Sequence, residues 1–168
     1  KMTTADKVYT KSCARCQAAP FCLPVGLSEQ ELPQLDSVVK KRYDIQSGDH
    51  LYRHGDSFKH FYAIQRGALK SYVDTVDGRE QVYGFYFSGD LVGIDGVSAQ
   101  QYPNSMVALE ETSVCEIPYE YLLKIASEIP NLQRQIFHLM GYRHDWPLSV
   151  RHRSKHAPDH DQYARFFP

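Results

Sequence analysis

The four cysteines are the residues whose types and spacing could do chemistry in this chain. Cys13, Cys16 and Cys22 form the pattern C-x2-C-x5-C, and Cys115 stands alone in a segment with the character of a β-strand. Thiolates are soft ligands that suit iron–sulfur clusters and zinc. The pattern therefore predicts a four-thiolate site, closed by one ligand from far along the chain.

The spacing favours a cluster over a zinc ion, because zinc sites usually draw their cysteines from two C-x2-C pairs and this chain has one such pair. Two other interpretations stay open, namely four unrelated thiols and a disulfide in one of three pairings. In a reducing cytosol, paired cysteines are more often metal ligands or redox groups than structural disulfides. Taken alone, Cys115 would be a small buried hydrophobic residue.

The composition is typical of an ordinary globular protein with one main domain. The chain has 168 residues, of which 42% are hydrophobic and 23% charged, and its net charge of -1 gives no global sign of nucleic-acid binding. No apolar run approaches a membrane span and the N-terminus lacks a secretory signal, so we expect a cytoplasmic protein with no membrane partner. No Ser/His/Asp set, carboxylate pair or phosphate loop stands out, and we expect no enzymatic role.

The pattern of elements changes along the chain in a way that predicts its organisation. Residues 1–27, with interleaved prolines, predict an irregular cysteine-rich loop, and Ser28 and Glu31 form a capping box that predicts a helix beginning at Ser28. From residue 43 to 118, short β-segments alternate with glycine-bearing turns, including a predicted hairpin around Arg66–Gly67 and a tip at Asp77–Gly78. A β-domain over 28–118, built as a small antiparallel barrel or jelly roll, is the expected result.

The C-terminal part predicts helices and then irregular structure. Residues 119–143 hold two apolar-faced helical segments separated by Pro130, and the second of these is a possible dimer seam. Residues 144–168 have no clean period and predict an irregular tail. His152, His156 and His160 repeat at four-residue spacing and could bind a metal on a helix, but Pro158 interrupts that helix.

These residues together resemble the FNR branch of the CRP/FNR transcription regulators. The resemblance rests on C-x2-C-x5-C, on GDLVG at 89–93 and on ALEETSVCEIP at 108–118, and it runs from about residue 12 to 140. The segments LYRHGD, YAIQRGALKSY and PNLQRQ fit the same template. All four cysteines match the family's ligand positions.

The resemblance implies a fold and a function. The fold would be mainly β, a double-stranded β-helix of the cyclic-nucleotide-binding type with flanking helices and the start of a dimerisation helix. Cys13, Cys16, Cys22 and Cys115 would hold a [4Fe-4S] cluster. In such regulators the intact cluster favours a homodimer that binds DNA through a helix-turn-helix, and oxygen converts the cluster and weakens the dimer.

Two family features depart from the expected pattern in this sequence. Cyclic-nucleotide relatives bind phosphate with an arginine followed by a small hydroxyl residue, whereas this chain has Pro103-Asn104-Ser105, so we predict that cAMP is not a ligand. The tip Asp77-Gly78-Arg79-Glu80 matches a loop that touches RNA polymerase in the family. Arg79 replaces the acidic residue often found there, and an ordinary exposed turn is the alternative.

The sequence after Met140 does not continue the family pattern. Gly141 and Pro147 interrupt the helix, and the 28 residues that follow Met140 are fewer than the roughly 60 that a small independent domain needs. We therefore expect a truncated or frameshifted relative that lacks the DNA-binding helix-turn-helix. The alternative to the FNR interpretation is a zinc-stabilised or metal-free interaction module of the cyclic-nucleotide-binding type.

Overall fold

The protein is mainly β, as the sequence predicts. The structure, a computed structural model, describes residues 12–141, and within these residues eight antiparallel strands form two four-stranded sheets. The strands are β1 (Lys41–Ile45), β2 (His50–Tyr52), β3 (His60–Arg66), β4 (Ala68–Asp74), β5 (Glu80–Phe87), β6 (Leu91–Val92), β7 (Ser105–Ala108) and β8 (Thr112–Pro118).

The two sheets form a jelly roll. The first sheet has the order β1-β8-β3-β6 and the second has the order β2-β7-β4-β5. Most consecutive strands therefore belong to different sheets, and the chain passes back and forth between them. The apolar side chains that face inward close the roll, and Ile64, Leu69, Met106 and Val114 are almost completely buried. Burying each such side chain stabilises the fold by about 1.5–3 kcal/mol.

Three helices flank the roll. They are α1 (Leu32–Val38), α2 (Tyr119–Glu128) and α3 (Pro130–Gly141). The two C-terminal helices confirm the sequence prediction, with Leu122, Ile125 and Leu132 buried against the rest of the protein. None of the helices in this part of the chain has the length and apolar character that crossing a bilayer requires.

The predicted hairpin at Arg66–Gly67 is wrong. β3 pairs with β8 and β6, whereas β4 pairs with β5 and β7, so Gly67 is a corner where the chain leaves one sheet for the other. Gly67 has a φ of 98° there. Two alternating segments around a glycine predict the two strands well but cannot distinguish a hairpin from a change of sheet. The hairpin with its tip at Asp77–Gly78 is confirmed.

The first helix begins later than predicted. Both capping-box bonds are present, because the Ser28 N–H donates to the Glu31 carboxylate at 2.9 Å and the Glu31 N–H donates to Ser28 Oγ at 3.2 Å. They close a turn, however, and regular helix begins at Leu32. Pro33 explains the difference, since it has no N–H with which to continue the helical ladder from that turn.

Several predictions fall outside the described residues. They are the helical histidine set His152, His156 and His160, the irregular tail 144–168, and the truncation expected after Met140. The division into segments 1–27, 28–118 and 119–143 stays a prediction.

Candidate functional site

The cysteine-rich loop brings its first two thiols together through one turn. Cys13–Arg15 form a single 3-10 turn, which Cys16 ends by donating its N–H to the Cys13 carbonyl at 3.3 Å. Side chains three residues apart lie on the same side of such a turn. The C-x2-C spacing therefore places Cys13 and Cys16 on one side of the loop.

Contacts to three other elements hold this loop in place. The Cys13 N–H donates to Asp36 Oδ1 on α1 at 2.7 Å, and the side-chain amide of Gln135 on α3 donates to the Cys22 carbonyl at 3.0 Å. Phe21 packs against Gly89 so closely that a Cβ on that glycine would lie 2.6 Å from the Phe21 Cβ. The position of Cys22 is thus tied to α3 across 113 residues of chain.

Cys115 lies on β8, an inner strand of the first sheet. It is paired with Arg42 on β1 and with Ala63 on β3. Successive side chains of a strand point to opposite faces, yet both Val114 and Cys115 are buried. Both faces of the sheet are therefore covered at this point, with Val114 and Cys115 on opposite faces.

All four cysteines line one cavity. It is partly open to solvent, and the space between its atoms, open solvent included, is about 390 Å³. The residues that line the cavity are mostly apolar. Among the described residues, Arg42 is the one charged residue that lines it. No disulfide joins the four thiols, so the arrangement presents four free sulfur ligands to the same space.

As they stand, the four thiols do not form a group that could hold one metal ion. Within residues 12–141, no three His, Cys, Asp or Glu side chains come close enough to hold one metal ion. A tetrahedral zinc ion with Zn–S bonds of about 2.3 Å would need its sulfurs roughly 3.8 Å apart. A cubane cluster takes one thiolate at each of its irons and so sets the sulfurs at the corners of a larger tetrahedron.

The surroundings favour the protonated form of three of the thiols, those of Cys13, Cys22 and Cys115. Burial raises the pKa of Cys22 to about 12 and that of Cys115 to about 11, although Arg42 opposes the second rise. Burial raises the pKa of Cys13 well above its usual range, and the neighbouring Asp36 raises it further. A metal or cluster must therefore displace protons from these sulfurs when it binds.

The region that matches a phosphate-binding site contains an acidic contact. Asn104 is buried, and its side-chain amide donates to Asp95 Oδ2 at 3.3 Å. The Asn104 Oδ1 atom has no hydrogen-bond partner within the described residues. Gly89 and Gly93, which bound the GDLVG segment, both have positive φ near 92° and 93°. The segment thus combines a turn at Gly89 with the short strand β6. Position 104 holds asparagine, so it offers no arginine to bind a phosphodiester.

Three residues at the cavity were not found by sequence reasoning. Arg42, Asp36 and Gln135 reach the cysteine loop from a strand and two helices, over separations of 29, 23 and 113 residues. No spacing rule connects residues so far apart, and in the sequence each looks like an ordinary polar position.

The exposed tip of the β4–β5 hairpin forms as predicted, with Arg79 paired to Asp77. Its contact with RNA polymerase stays a prediction.

Comparisons with known proteins agree with this architecture. Residues 43–128 match the family model of the cyclic nucleotide-binding domain. A solved cyclic nucleotide-binding domain from Methylobacillus flagellatus superposes with a TM-score of 0.62 at 18% identity, covering 80% of this chain and 77% of that one. At that identity, the likeness concerns the fold alone.

Two curated relatives are similar at a higher level of identity. The fumarate and nitrate reduction regulatory protein of Yersinia pestis is 43% identical over 133 residues, which are 79% of this chain and 53% of that protein. The transcriptional activator protein anr of Pseudomonas aeruginosa is 42% identical over 129 residues, 77% of this chain and 53% of that protein. The chain spans about half the length of these relatives. On this basis it belongs to the cyclic nucleotide-binding domain family and, within it, to the FNR branch of the CRP/FNR regulators.

Proposed function

We propose that this chain is the sensory part of an oxygen- and redox-responsive transcription regulator, and that Cys13, Cys16, Cys22 and Cys115 hold a [4Fe-4S] cluster. The observation that carries the proposal is that all four cysteines of the chain line one cavity. Cys115 does so from a strand, 93 residues after Cys22. The names of the curated relatives describe regulators of transcription, which supports the same assignment.

The chemistry of the cavity fits a cluster. Soft thiol ligands, a mostly apolar wall and one cation are the environment that stabilises an anionic metal–thiolate group. When bound, the cluster supplies an oxygen-sensitive, redox-active iron centre.

The chain's own contacts provide a physical connection between the site and the C-terminal helix. Gln135 is buried on α3 and holds the carbonyl of Cys22, so a shift of the loop would act on α3 directly. Phe137, on the same helix, is 65% exposed and offers an apolar surface for a second copy. These features support a homodimer whose stability depends on the site.

Anaerobic reconstitution of the full chain tests the proposal. The protein is incubated with ferrous iron, sulfide and a thiol reductant, and then its iron, sulfide and visible absorbance are measured before and after exposure to air. Light scattering on the same samples measures the mass. We expect iron and sulfide at four each per chain, a visible band that air bleaches, and a larger mass in the loaded sample.

Other outcomes would contradict it. Bound zinc without sulfide would indicate a zinc-stabilised interaction module, and a colourless protein with neither metal would mean that the four thiols do not form a ligand site. Unchanged mass on loading would remove the dimer from the proposal but leave the cluster.

We expect cAMP not to bind this domain. Asn104 stands where a phosphate-binding arginine is needed. Its side-chain amide donates a hydrogen bond to Asp95, whose carboxylate would repel the phosphodiester. Thermal unfolding is measured with millimolar cAMP and, as the control, with the same concentration of AMP. A ligand at 100 times its Kd would stabilise the fold by about 2.7 kcal/mol, and we expect equal melting temperatures in both samples. A melting temperature raised by cAMP but not by AMP would show that this domain binds the cyclic nucleotide.

A further inference from the structure

A nearly buried guanidinium lies among the four thiols. The side chain of Arg42 is 12% exposed, and its Nη2 atom is 3.9 Å from Cys13 Sγ and 3.4 Å from Asp36 Oδ1. Arg42 is also the strand partner of Cys115. It therefore contacts the first thiol of the loop and is paired across the sheet with the residue that carries the distant thiol.

Asp36 is the anionic side chain that Arg42 contacts within the described residues. A buried charge is costly unless it is paired and hydrogen-bonded. The ion pair with Asp36 consists of one contact at 3.4 Å, without the second parallel bond of a bidentate pair. When the sulfurs bind a metal as thiolates, negative charge develops directly beside the guanidinium, and Arg42 gains a second anionic partner besides Asp36.

Asp36 acts on the same site with the opposite charge. Its Oδ1 atom accepts both the Cys13 N–H and the Arg42 guanidinium. The carboxylate thus fixes the backbone of the first thiol and holds Arg42 in place, while its own negative charge works against charge on the sulfurs.

We propose that Arg42 is the counter-charge of the thiolate site and that Asp36 is a positioning residue that moderates it, so that the two set the reduction potential of the bound cluster in opposite directions. This inference rests on the proposed function. The potential of a cluster depends on the net charge around it and on hydrogen bonds to its sulfurs. A nearby cation favours the form that carries one more electron, and a nearby anion disfavours it.

Five proteins test the inference. The wild-type chain, Arg42→Met, Arg42→Lys, Asp36→Asn and Lys41→Met are reconstituted anaerobically, and the midpoint potential of the cluster is measured by spectroelectrochemical titration. The electrode supplies one electron per cluster, and no bond is made or broken in the protein. Lys41 is the matched control, because it carries the same charge on the same strand but is exposed and alternates to the other face.

We expect shifts of opposite sign. Arg42→Met should weaken the affinity of the cluster for the electron by roughly tenfold, which lowers the potential by about 59 mV for a one-electron couple. Asp36→Asn keeps the acceptor oxygen for Cys13 but removes the negative charge, and it should raise the potential. Lys41→Met should leave it unchanged, and Arg42→Lys, which keeps the charge, should recover most of the loss.

The outcomes separate this inference from the proposed function. If the wild type takes up no iron and sulfide, the proposed function fails and the inference fails with it. If the wild type loads normally but both variants shift the potential in the same direction, or by no more than Lys41→Met, only the inference is overturned. If Arg42→Met does not fold, the upward shift in Asp36→Asn still decides the question.

Discussion

Cys115→Ser is expected to reduce the iron and sulfide bound by the reconstituted chain to background. A serine hydroxyl does not ionise near neutral pH and is a poor ligand for iron in a cluster. The chain has four cysteines in all, so no spare thiol can take the vacant position. The same loss is expected for serine at positions 13, 16 and 22, since each would remove one ligand of the proposed four.

The fold must be shown to survive the change. Burying a hydroxyl in place of a thiol costs about 1–3 kcal/mol, and Cys115 lies on an inner strand. Cys16→Ser is the gentler variant, because Cys16 is only partly buried in the loop. Circular dichroism and thermal melting of the metal-free proteins check that both variants are folded.

A matched control places the hydroxyl in the same cavity without removing a thiol. Ala19 is half-buried and lines the cavity, so Ala19→Ser should keep the full iron and sulfide content. A cysteine variant that binds as much iron and sulfide as Ala19→Ser would refute the assignment of that cysteine as a ligand.

The strands and the two C-terminal helices were predictable because their signals are local. Glycine-bearing turns separate the β-segments. Leu122 and Ile125 recur at helical spacing in the first C-terminal helix, and Leu132, Ile136 and Leu139 do so in the second. The pairing of the strands was not predictable in the same way. At Gly67, the same pattern permits a hairpin or a passage between sheets, and the choice depends on β8, which begins 45 residues later.

In the site too, the residues with a local sequence signal were predictable and the others were not. The C-x2-C-x5-C spacing and the solitary Cys115 drew attention to four thiols that the structure brings to one cavity. The residues that govern charge and position around them, Arg42, Asp36 and Gln135, gave no signal. Each is a polar residue that sequence would assign to solvent, and its burial beside the cysteine loop results from the packing of separate elements.

Gly67→Ala is expected to destabilise the protein by about 3 kcal/mol or more. Two costs add at this corner. Gly67 has a φ of 98°, which L side chains rarely adopt, and a Cβ there would lie 2.7 Å from the Thr112 Cα. Thr112 cannot easily move away, because it is completely buried and its hydroxyl bonds to the Ala68 N–H at 3.1 Å.

Gly78→Ala isolates the first of these costs. Gly78 has a φ of 81° at the exposed tip of the β4–β5 hairpin, and a Cβ there would meet nothing within 4 Å. In urea denaturation, the free energy of unfolding should therefore fall by about 1–2 kcal/mol for Gly78→Ala and by about 3 kcal/mol or more for Gly67→Ala. The melting temperature of Gly67→Ala should be lower by roughly 10 °C. Equal losses in the two variants would show that the contact with Thr112 contributes nothing.

The corner at Gly67 also bears on the proposed site. Thr112 begins β8, and Cys115 follows three residues later on the same strand. A side chain that pushes Thr112 outward would displace the strand that carries the distant thiol, while the cysteine-rich loop stays tied to α1 and α3. Gly67→Ala should therefore lower iron and sulfide uptake even below its melting temperature, whereas Gly78→Ala should load like the wild type. Normal loading of a folded Gly67→Ala protein would mean that the position of Cys115 does not depend on this corner.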